Sequence, residues 1–335
     1  MRRGLFLLVV VVVGVIWVSA THPTVATADP STAQGMQISP VLINLNADPG
    51  KTYTLKLSIL NVTTGDLVFT PAVNDFKAKD ETGTPEVLLN STLPPSASIV
   101  SWVQPIGTIP LKAKQSDELD VVVNVPINAE SGGHYGVIRF SGTAPEQQQN
   151  GVSLAASAGV LLLVRVSGPI TEQLSLKDFF TERSTSRTSR FQSGPVTFVE
   201  RISNTGNVHV APTGNLIVKN MFGKNVASLA VNQTTGNILP SSIRRFEETL
   251  KGKSLFGKYT ASLSLAYGTQ GKVLTGALTF WVIPYKLVIG GLLLLVILIL
   301  LIWWLIRRYN RWIISKAGPR QPPPSYRPPP SFTSR

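Results

Sequence analysis

Along most of this chain apolar residues occupy every second position, and along one stretch near the carboxyl end they occupy every position. Tyr53, Leu55, Leu57 and Ile59 are separated by Thr54, Lys56 and Ser58. Glu118 and Asp120 alternate with Leu119, Val121, Val123 and Val125, and Tyr259, Ala261, Leu263 and Leu265 alternate with Thr260, Ser262 and Ser264. A period of two sets one face of a strand on a core and the other in water. Weaker versions predict strands at 38–45, where Pro40 marks an edge or a switch between sheets, and at 66–75, 98–102, 137–141, 215–218 and 274–282. The strand predicted at 196–202 carries Val196 and Phe198 on one face and Thr197, Val199 and Arg201 on the other. Residues 243–250 read either as a strand or as a turn or two of helix. Residues 152–166 are apolar without alternation, but Ser153, Ser157 and Arg165 interrupt them, and the uninterrupted run 158–164 fits a strand buried on both faces. Turn residues punctuate the strands at Asp48-Pro49-Gly50, Asn204-Thr205-Gly206-Asn207, 221–225 and 232–236, whereas 181–193 is polar and loop-like. The pattern is all-β. It predicts two Ig-like β-sandwich domains, at 36–168 and 169–285, divided at Gly168-Pro169, followed by one C-terminal transmembrane α-helix.

That helix is residues 287–306, a stretch without a charge or a strong helix breaker. At about 1.5 Å per residue it spans roughly 30 Å, the hydrocarbon thickness of a bilayer. Trp281 and Tyr285 stand before it and Trp303 and Trp304 at its end, where amphipathic rings favour the headgroup level. Arg307, Arg308, Arg311 and Lys316 follow, and no acidic residue stands between them and Arg335. A cation at mid-bilayer costs about 2.5–3.5 kcal/mol on insertion scales, so the span ends where they begin. At the other end, Met1–Arg3 and the apolar run 5–18 read as a signal peptide over 1–28, with small-residue cleavage sites at Val18-Ser19-Ala20 and Ala26-Thr27-Ala28. An uncleaved second anchor is the alternative. With cleavage the expected protein sits in the cell membrane, single-pass, its N-terminus extracellular and its C-terminus cytoplasmic.

Charge changes the picture less than its total suggests. The formal net charge is +13, but nine basic residues flank the two apolar segments, and the remaining 22 face 18 acidic ones. The excess follows the positive-inside rule instead of forming a phosphate-binding stripe, so no nucleic acid is expected as a partner. Cysteine is absent, which removes thiol chemistry and Cys-based zinc sites and favours a bacterial envelope protein.

Candidate chemistry is sparse. Asn128–Gly136 reads as a turn feeding the strand at 137–141, with Gly132, Gly133, His134 and Tyr135 as structural-turn or ligand-proximal residues. The three histidines, His22, His134 and His209, have no second histidine or carboxylate at ligand spacing, so His134 reads as structural or surface. Val208 and Val210 bracket His209 and place it on the opposite, solvent-facing side. Asp75, Asp80 and Glu81 lack calcium-loop spacing and read as a solvated turn. Gly50-Lys51-Thr52 resembles the end of a phosphate loop, but Leu45 stands where the first glycine is required. No nucleophile elbow is present. Asn61, Asn90 and Asn232 open glycosylation triplets, which matter in a eukaryotic secretory route. No catalytic residue, cofactor or metal is expected, and the chain reads as a non-enzyme. An enzyme whose site has no motif is the third-ranked alternative. Within the basic tail at 307–335, QPPPSYRPPPSF favours polyproline II; it is either a docking site for a cytoplasmic partner or a solvated tail lying against lipid.

The order of parts resembles the WxL-interacting proteins of Gram-positive cell surfaces. The resemblance is carried by Ile38-Ser39-Pro40 followed by Asp48-Pro49-Gly50-Lys51-Thr52, by Asn61-Val62-Thr63, by Val125-Pro126 leading into Gly132-Gly133-His134-Tyr135-Gly136, and by Asn204-Thr205-Gly206-Asn207. It spans residues 36 to about 310; the long proline-rich tail departs from it. It implies a peptidoglycan-binding outer domain, a second domain engaging a host or partner ligand, and association with surface proteins. The expected function is thus membrane-anchored cell-surface binding or adhesion, with cell wall polymer, surface proteins and the lipid bilayer as partners. The alternative is an envelope assembly or chaperone-like factor acting through its sheet edges.

Overall fold

The alternating stretches fold as strands wherever one face can reach a core. The structure, a computed structural model, describes residues 35–90, 92–145, 156–252 and 255–316. The expected leader at 1–28 and the proline-rich part of the tail lie outside the described residues. In the first half the strands are β1 (Met36–Ser39), β2 (Leu42–Ala47), β3 (Thr52–Asn61), β4 (Leu67–Ala78), β5 (Pro85–Leu88), β6 (Ile109–Leu111), β7 (Ser116–Asn124), β8 (Gly132–Thr143) and β9 (Ala156–Val166). The second half has β10 (Leu174–Arg183), β11 (Ser186–Arg187), β12 (Arg190–Phe191), β13 (Val196–Asn204), β14 (Thr213–Asn220), β15 (Asn225–Val231), β16 (Ile243–Leu250), β17 (Gly257–Tyr267) and β18 (Lys272–Val282), and then the helix α1 (Tyr285–Lys316).

Each half is an Ig-like sandwich with its own core. In the first, the sheet β1-β3-β7 packs on the sheet β2-β9-β8-β4-β5 around Leu57, Ile59, Phe69, Phe140 and Leu162. Pro40 sits where the leading strand changes sheets: β1 pairs antiparallel with β3, and β2 then pairs parallel with β9. In the second, β11-β10-β13-β16 packs on β12-β18-β17-β14-β15 around Phe198, Leu216, Leu263 and Phe280. The uninterrupted apolar run 158–164 is the middle of β9, between β2 and β8. Residues 243–250 resolve as β16. Two expectations fail locally. Residues 98–102 end in a 3-10 turn, closed by Trp102 N donating to Ile99 O at 2.9 Å, because five residues are too few for alternation to identify a strand. The loop expected at 181–193 carries the short strands β11 and β12.

Two of the three triplet asparagines, Asn61 and Asn232, are structural, whereas Asn90 is exposed. Asn61 is fully buried, and its amide donates to Gly65 O, Leu111 O and Lys112 O at 2.8, 3.2 and 3.1 Å. Asn232 likewise donates to Pro212 O and Gly236 O at 2.7 and 3.0 Å. Neither side chain is open to a glycan.

β13 carries the less expected feature. Register places Glu200 on the same face as Phe198 and Ile202, opposite Phe246 of β16 and Phe179 of β10. It is fully buried, and neither carboxyl oxygen has a hydrogen-bond partner. Burial, with Glu248 on the same interior face, pushes its pKa up to about 8. The unfolded carboxyl ionises near 4.5. The proton on Glu200 therefore favours the fold fully below that pH, and the advantage is lost as pH rises through 8. Glu200→Gln removes the linkage, so the variant should gain on the wild type by on the order of 3–5 kcal/mol between pH 5 and pH 8.5. Urea unfolding of the full chain in detergent, followed by near-ultraviolet circular dichroism, measures this; a difference that does not change with pH contradicts a protonated Glu200.

Candidate functional site

The two sandwiches meet at fixed points, and the site lies between those points. At one, Gly133 N donates to Asn207 O at 2.8 Å, and Asn207 Nδ2 donates to Ser131 O and Pro169 O at 3.2 Å each. Asn207 Oδ1 accepts from Thr171 N at 2.8 Å. A Cβ on Gly132 would stand 2.7 Å from Asn207 O, and its φ of +134° is glycine's territory, so a side chain is excluded there. Gly132, Gly133, His134 and Tyr135 are therefore the first residues of β8, paired with Val166, Arg165, Val164 and Leu163, and not a turn. The turn half of that expectation failed because paired glycines, read as a turn signal, here permit two backbones to touch. Beside them Arg165 bonds Glu172 at 2.6 Å. Burial works against the Glu172 carboxylate, but Arg165 and the N–H and hydroxyl of Thr269 outweigh it and hold its pKa below the usual range.

The second fixed point lies beyond β4. Arg201 grips Glu81 with both arms of its guanidinium and reaches Asp178 as well, and Arg245 N donates to Glu81 O at 2.7 Å. This corrects the reading of Asp75, Asp80 and Glu81 as a solvated turn. Asp80 alone is a surface turn residue, its pKa lowered by hydrogen bonds from Thr82. Asp75 is buried and accepts from Leu93 N at 2.8 Å and Ser98 Oγ at 2.9 Å.

Between the two points the outer face of β2-β9-β8-β4 looks at the second sandwich, and that face is apolar. Phe76, Tyr135, Val137 and Leu163 form a buried cluster against which Leu239 of the second half packs. Leu42, 39% exposed, lines a cavity of about 150 Å³ with Phe76, Leu163 and Leu239. A wider opening of about 640 Å³ continues past Leu93, Tyr135 and Asn207. Two polar atoms on the same face, Asn74 Oδ1 and Arg139 Nε, are buried without a partner. Arg244, half-buried at the cavity wall, donates to Asn237 O at 2.8 Å rather than to a carboxylate.

His209 belongs to this junction, contrary to the expectation that it faces solvent. Its Nδ1 lies 3.4 Å from the Tyr135 hydroxyl, with the rings edge to face at 5.7 Å. Burial, and then the nearby Arg165 charge, pull its pKa down to about 4. Burial pushes the Tyr135 phenol up. Both groups are neutral at pH 7, and a base so weak contributes little proton transfer there. His134 is a core residue: it is buried, its Nε2 bonds Glu130 O at 2.8 Å, and its ring lies 4.4 Å from that of Trp102. Among the described residues no group of three or more His, Cys, Asp or Glu is placed to hold a metal. The arrangement suits contact and hydrogen bonding with a ligand.

The basic residues expected to orient the helix are elsewhere. Arg307, Arg308 and Arg311 lie on α1, and Lys316 is its last residue. The apolar part of α1 is not buried against the sandwiches, and Arg307 and Arg308 lie over the rings of Trp303 and Trp304 at 4.1 and 5.3 Å. The cleft residues Leu42, Phe76, Leu163 and Leu239 carried no motif. Their signal was the second apolar face of β9, which implies a cover.

No family model and no curated protein matches the chain. Solved structures that resemble it include a chain of the chaperone–tip adhesin complex of CFA/I fimbriae biogenesis, at TM-score 0.37 and 12% identity over 75% of this chain and 99% of that one. The YadV chaperone gives 0.36 and 12% over 73% and 100%, and the E. coli chaperone DraB 0.32 and 13% over 74% and 96%. A likeness of this degree transfers no residue and no role.

The unfolded His209 takes up a proton near pH 6.5, whereas the folded one resists until about 4. Its contribution to stability is complete above pH 6.5 and is lost as pH falls through 4, by up to roughly 3 kcal/mol. The wild type should therefore lose more stability than His209→Gln between pH 7.5 and pH 4.5 in the same urea assay; equal losses would place the imidazole in water.

Proposed function

We propose that this chain is a membrane-anchored envelope protein that binds an extended segment of another polypeptide in an assembly or chaperone-like role. On this reading α1 is the anchor, Arg307, Arg308, Arg311 and Lys316 mark its cytoplasmic end, and the sandwiches stand outside. The observation that carries the proposal is the cleft face of β2-β9-β8-β4: apolar, incompletely covered, and bordered by an open strand edge. β2 ends its sheet. Val41 O accepts from Leu161 N and Ala47 O from Ser167 N, so alternate residues of β2 point their backbone groups at β9. The backbone groups of Leu42, Asn44 and Asn46 therefore point outward, available to an added strand. Leu42 joins that edge to the cavity, where apolar side chains of the incoming segment would find Phe76 and Leu163. Arg139 and Arg244 would supply donors to its carbonyl or carboxylate oxygens.

Peptidoglycan, the ligand implied by the resemblance to WxL-interacting proteins, is the rival occupant. The two are separated by placing photoreactive p-benzoylphenylalanine at position 42 of the full chain in intact cells. Polypeptide adducts are expected, identified by mass spectrometry. Asn44→Pro, which removes an outward N–H without breaking a bond to β9, should reduce them at least about tenfold with the thermal midpoint unchanged. Adducts indifferent to Asn44→Pro, or retention of the chain on purified peptidoglycan that is lost on Leu161→Asp, would reverse the assignment.

A further inference from the structure

The end of the second sandwich from which α1 departs combines exposed aromatic rings with basic side chains. Register aligns Val282 of β18 with Gly257 of β17, and Tyr259 with Asn220 of β14, so the β14–β15 hairpin and the segment before β17 lie at this end. β12 joins them by pairing with Trp281 and Val282. Phe222 at the hairpin tip is 86% exposed and Phe256 is 62% exposed; among the described residues no other phenylalanine is exposed. Met221, also exposed, lays its methyl group across Gly257 and connects the two. Trp281, Ile283 and Tyr285 continue the exposed apolar surface to the helix.

The hairpin backbone holds Phe222 out. Asn220 Oδ1 accepts from Phe222 N and Lys224 N at 3.0 Å each, Gly223 N donates to Asn220 O at 2.9 Å, and Gly223 has φ +78° with nothing near its Cα substituent position. Such a preformed tip loses little conformational freedom when it inserts into a surface. The charges agree. The segments meeting here, 184–195, 219–225, 251–252, 255–259 and 280–286, include Arg190, Lys219, Lys224, Lys251, Lys258 and Lys286 and not one carboxylate, while Arg187 reaches Asp178 of β10 at 3.7 Å. Only Ile283 and Pro284 separate β18 from α1, and Ile283 N donates to Phe191 O at 2.7 Å, which ties this short link to β12.

From the aromatic tips, the ring of cations and the two-residue tether we infer that this end of the second sandwich docks on the bilayer that holds α1, with Phe222 and Phe256 inserted at headgroup depth and the lysines and arginines against anionic lipid. Aromatic rings favour that depth, and basic side chains keep their heads at the lipid phosphates while their stems cover apolar surface. The inference rests on α1 being the anchor. Docking would hold the sandwich at a set attitude instead of leaving it to swing on its tether.

The test uses the absence of cysteine from the chain. Single cysteines replacing Phe222, Phe256, Thr64 and Leu298 of the full chain carry a nitroxide label in vesicles of phosphatidylcholine and phosphatidylglycerol. Power saturation then reads accessibility to oxygen and to a water-soluble nickel complex. Thr64, exposed in the turn between β3 and β4, lies at the far end of the first sandwich and serves as the aqueous reference; Leu298 lies in mid-helix. The labels at 222 and 256 should be several-fold less accessible to nickel than that at 64, and Lys224→Glu with Lys258→Glu should return the label at 222 toward the value at 64. Labels at 222 and 256 as accessible to nickel as that at 64, with Leu298 in lipid, would overturn the docking alone. Nickel access at 298 would overturn the anchor and the docking together.

Discussion

A sheet that is apolar on both faces has to be covered twice, and β9 imposes that condition on this molecule. Its Val160, Leu162 and Val164 belong to the first core, while Leu161 and Leu163 point the other way. The first face is satisfied inside its own sandwich. The second can be covered only by something outside it, and the second sandwich does so in part, through Leu239. Burying a Leu or Phe side chain is worth about 1.5–3 kcal/mol, so a face on which Phe76 and Leu163 are buried but Leu42 stays exposed and Leu161 only partly buried retains a drive to acquire a further partner. Everything at the junction follows from how that cover is held.

The cover is held by backbone more than by charge. The Arg201–Glu81 and Arg165–Glu172 pairs look prominent, but the first is about a third exposed on both sides, and pairs so solvated contribute roughly 0–1 kcal/mol. Arg165–Glu172 is better buried and gains from the Thr269 donors. Asn207 does more than either. It meets carbonyl and amide groups of both sandwiches at once, and the absence of a side chain at Gly132 is what lets it approach. A junction fixed at its two margins and loosely filled between them leaves a cleft that does not depend on the ligand for its shape.

How much of this was readable beforehand depended on whether a residue's role lay in its own strand. Tyr53–Ile59 and Tyr259–Leu265 declared themselves by alternation, Pro40 by its inability to continue a ladder, and residues 158–164 by lacking a polar face. His209 shows the limit. Period two placed it opposite Val208 and Val210, which is correct, but the pattern says which face a side chain is on and not what covers that face. Here the cover is Tyr135, 74 residues away in sequence. Gly132 and Gly133 were misread for the same reason, since a glycine demanded by a distant backbone looks identical to one demanded by a local turn. Alternation from Val196 and Phe198 already sets Glu200 on their face, but the pattern does not say that a carboxylate there stays buried without a partner.

The two ends of the second sandwich divide the labour. The turn between β17 and β18 places Thr269 against Glu172 beside the cleft, while the opposite ends of the same strands meet α1. β17 has 11 residues, and at about 3.3 Å per residue it sets the cleft roughly 35 Å from the point where the chain turns into the helix. On the proposed topology that is the height at which an incoming segment meets the edge of β2. A sandwich swinging freely on Ile283 and Pro284 would sweep that edge through a wide arc; one seated on its aromatic tips would present it at one height and one angle. Strand addition depends on register and direction as well as contact, so a seated sandwich narrows the set of segments that can add to β2 without any further residue in the cleft.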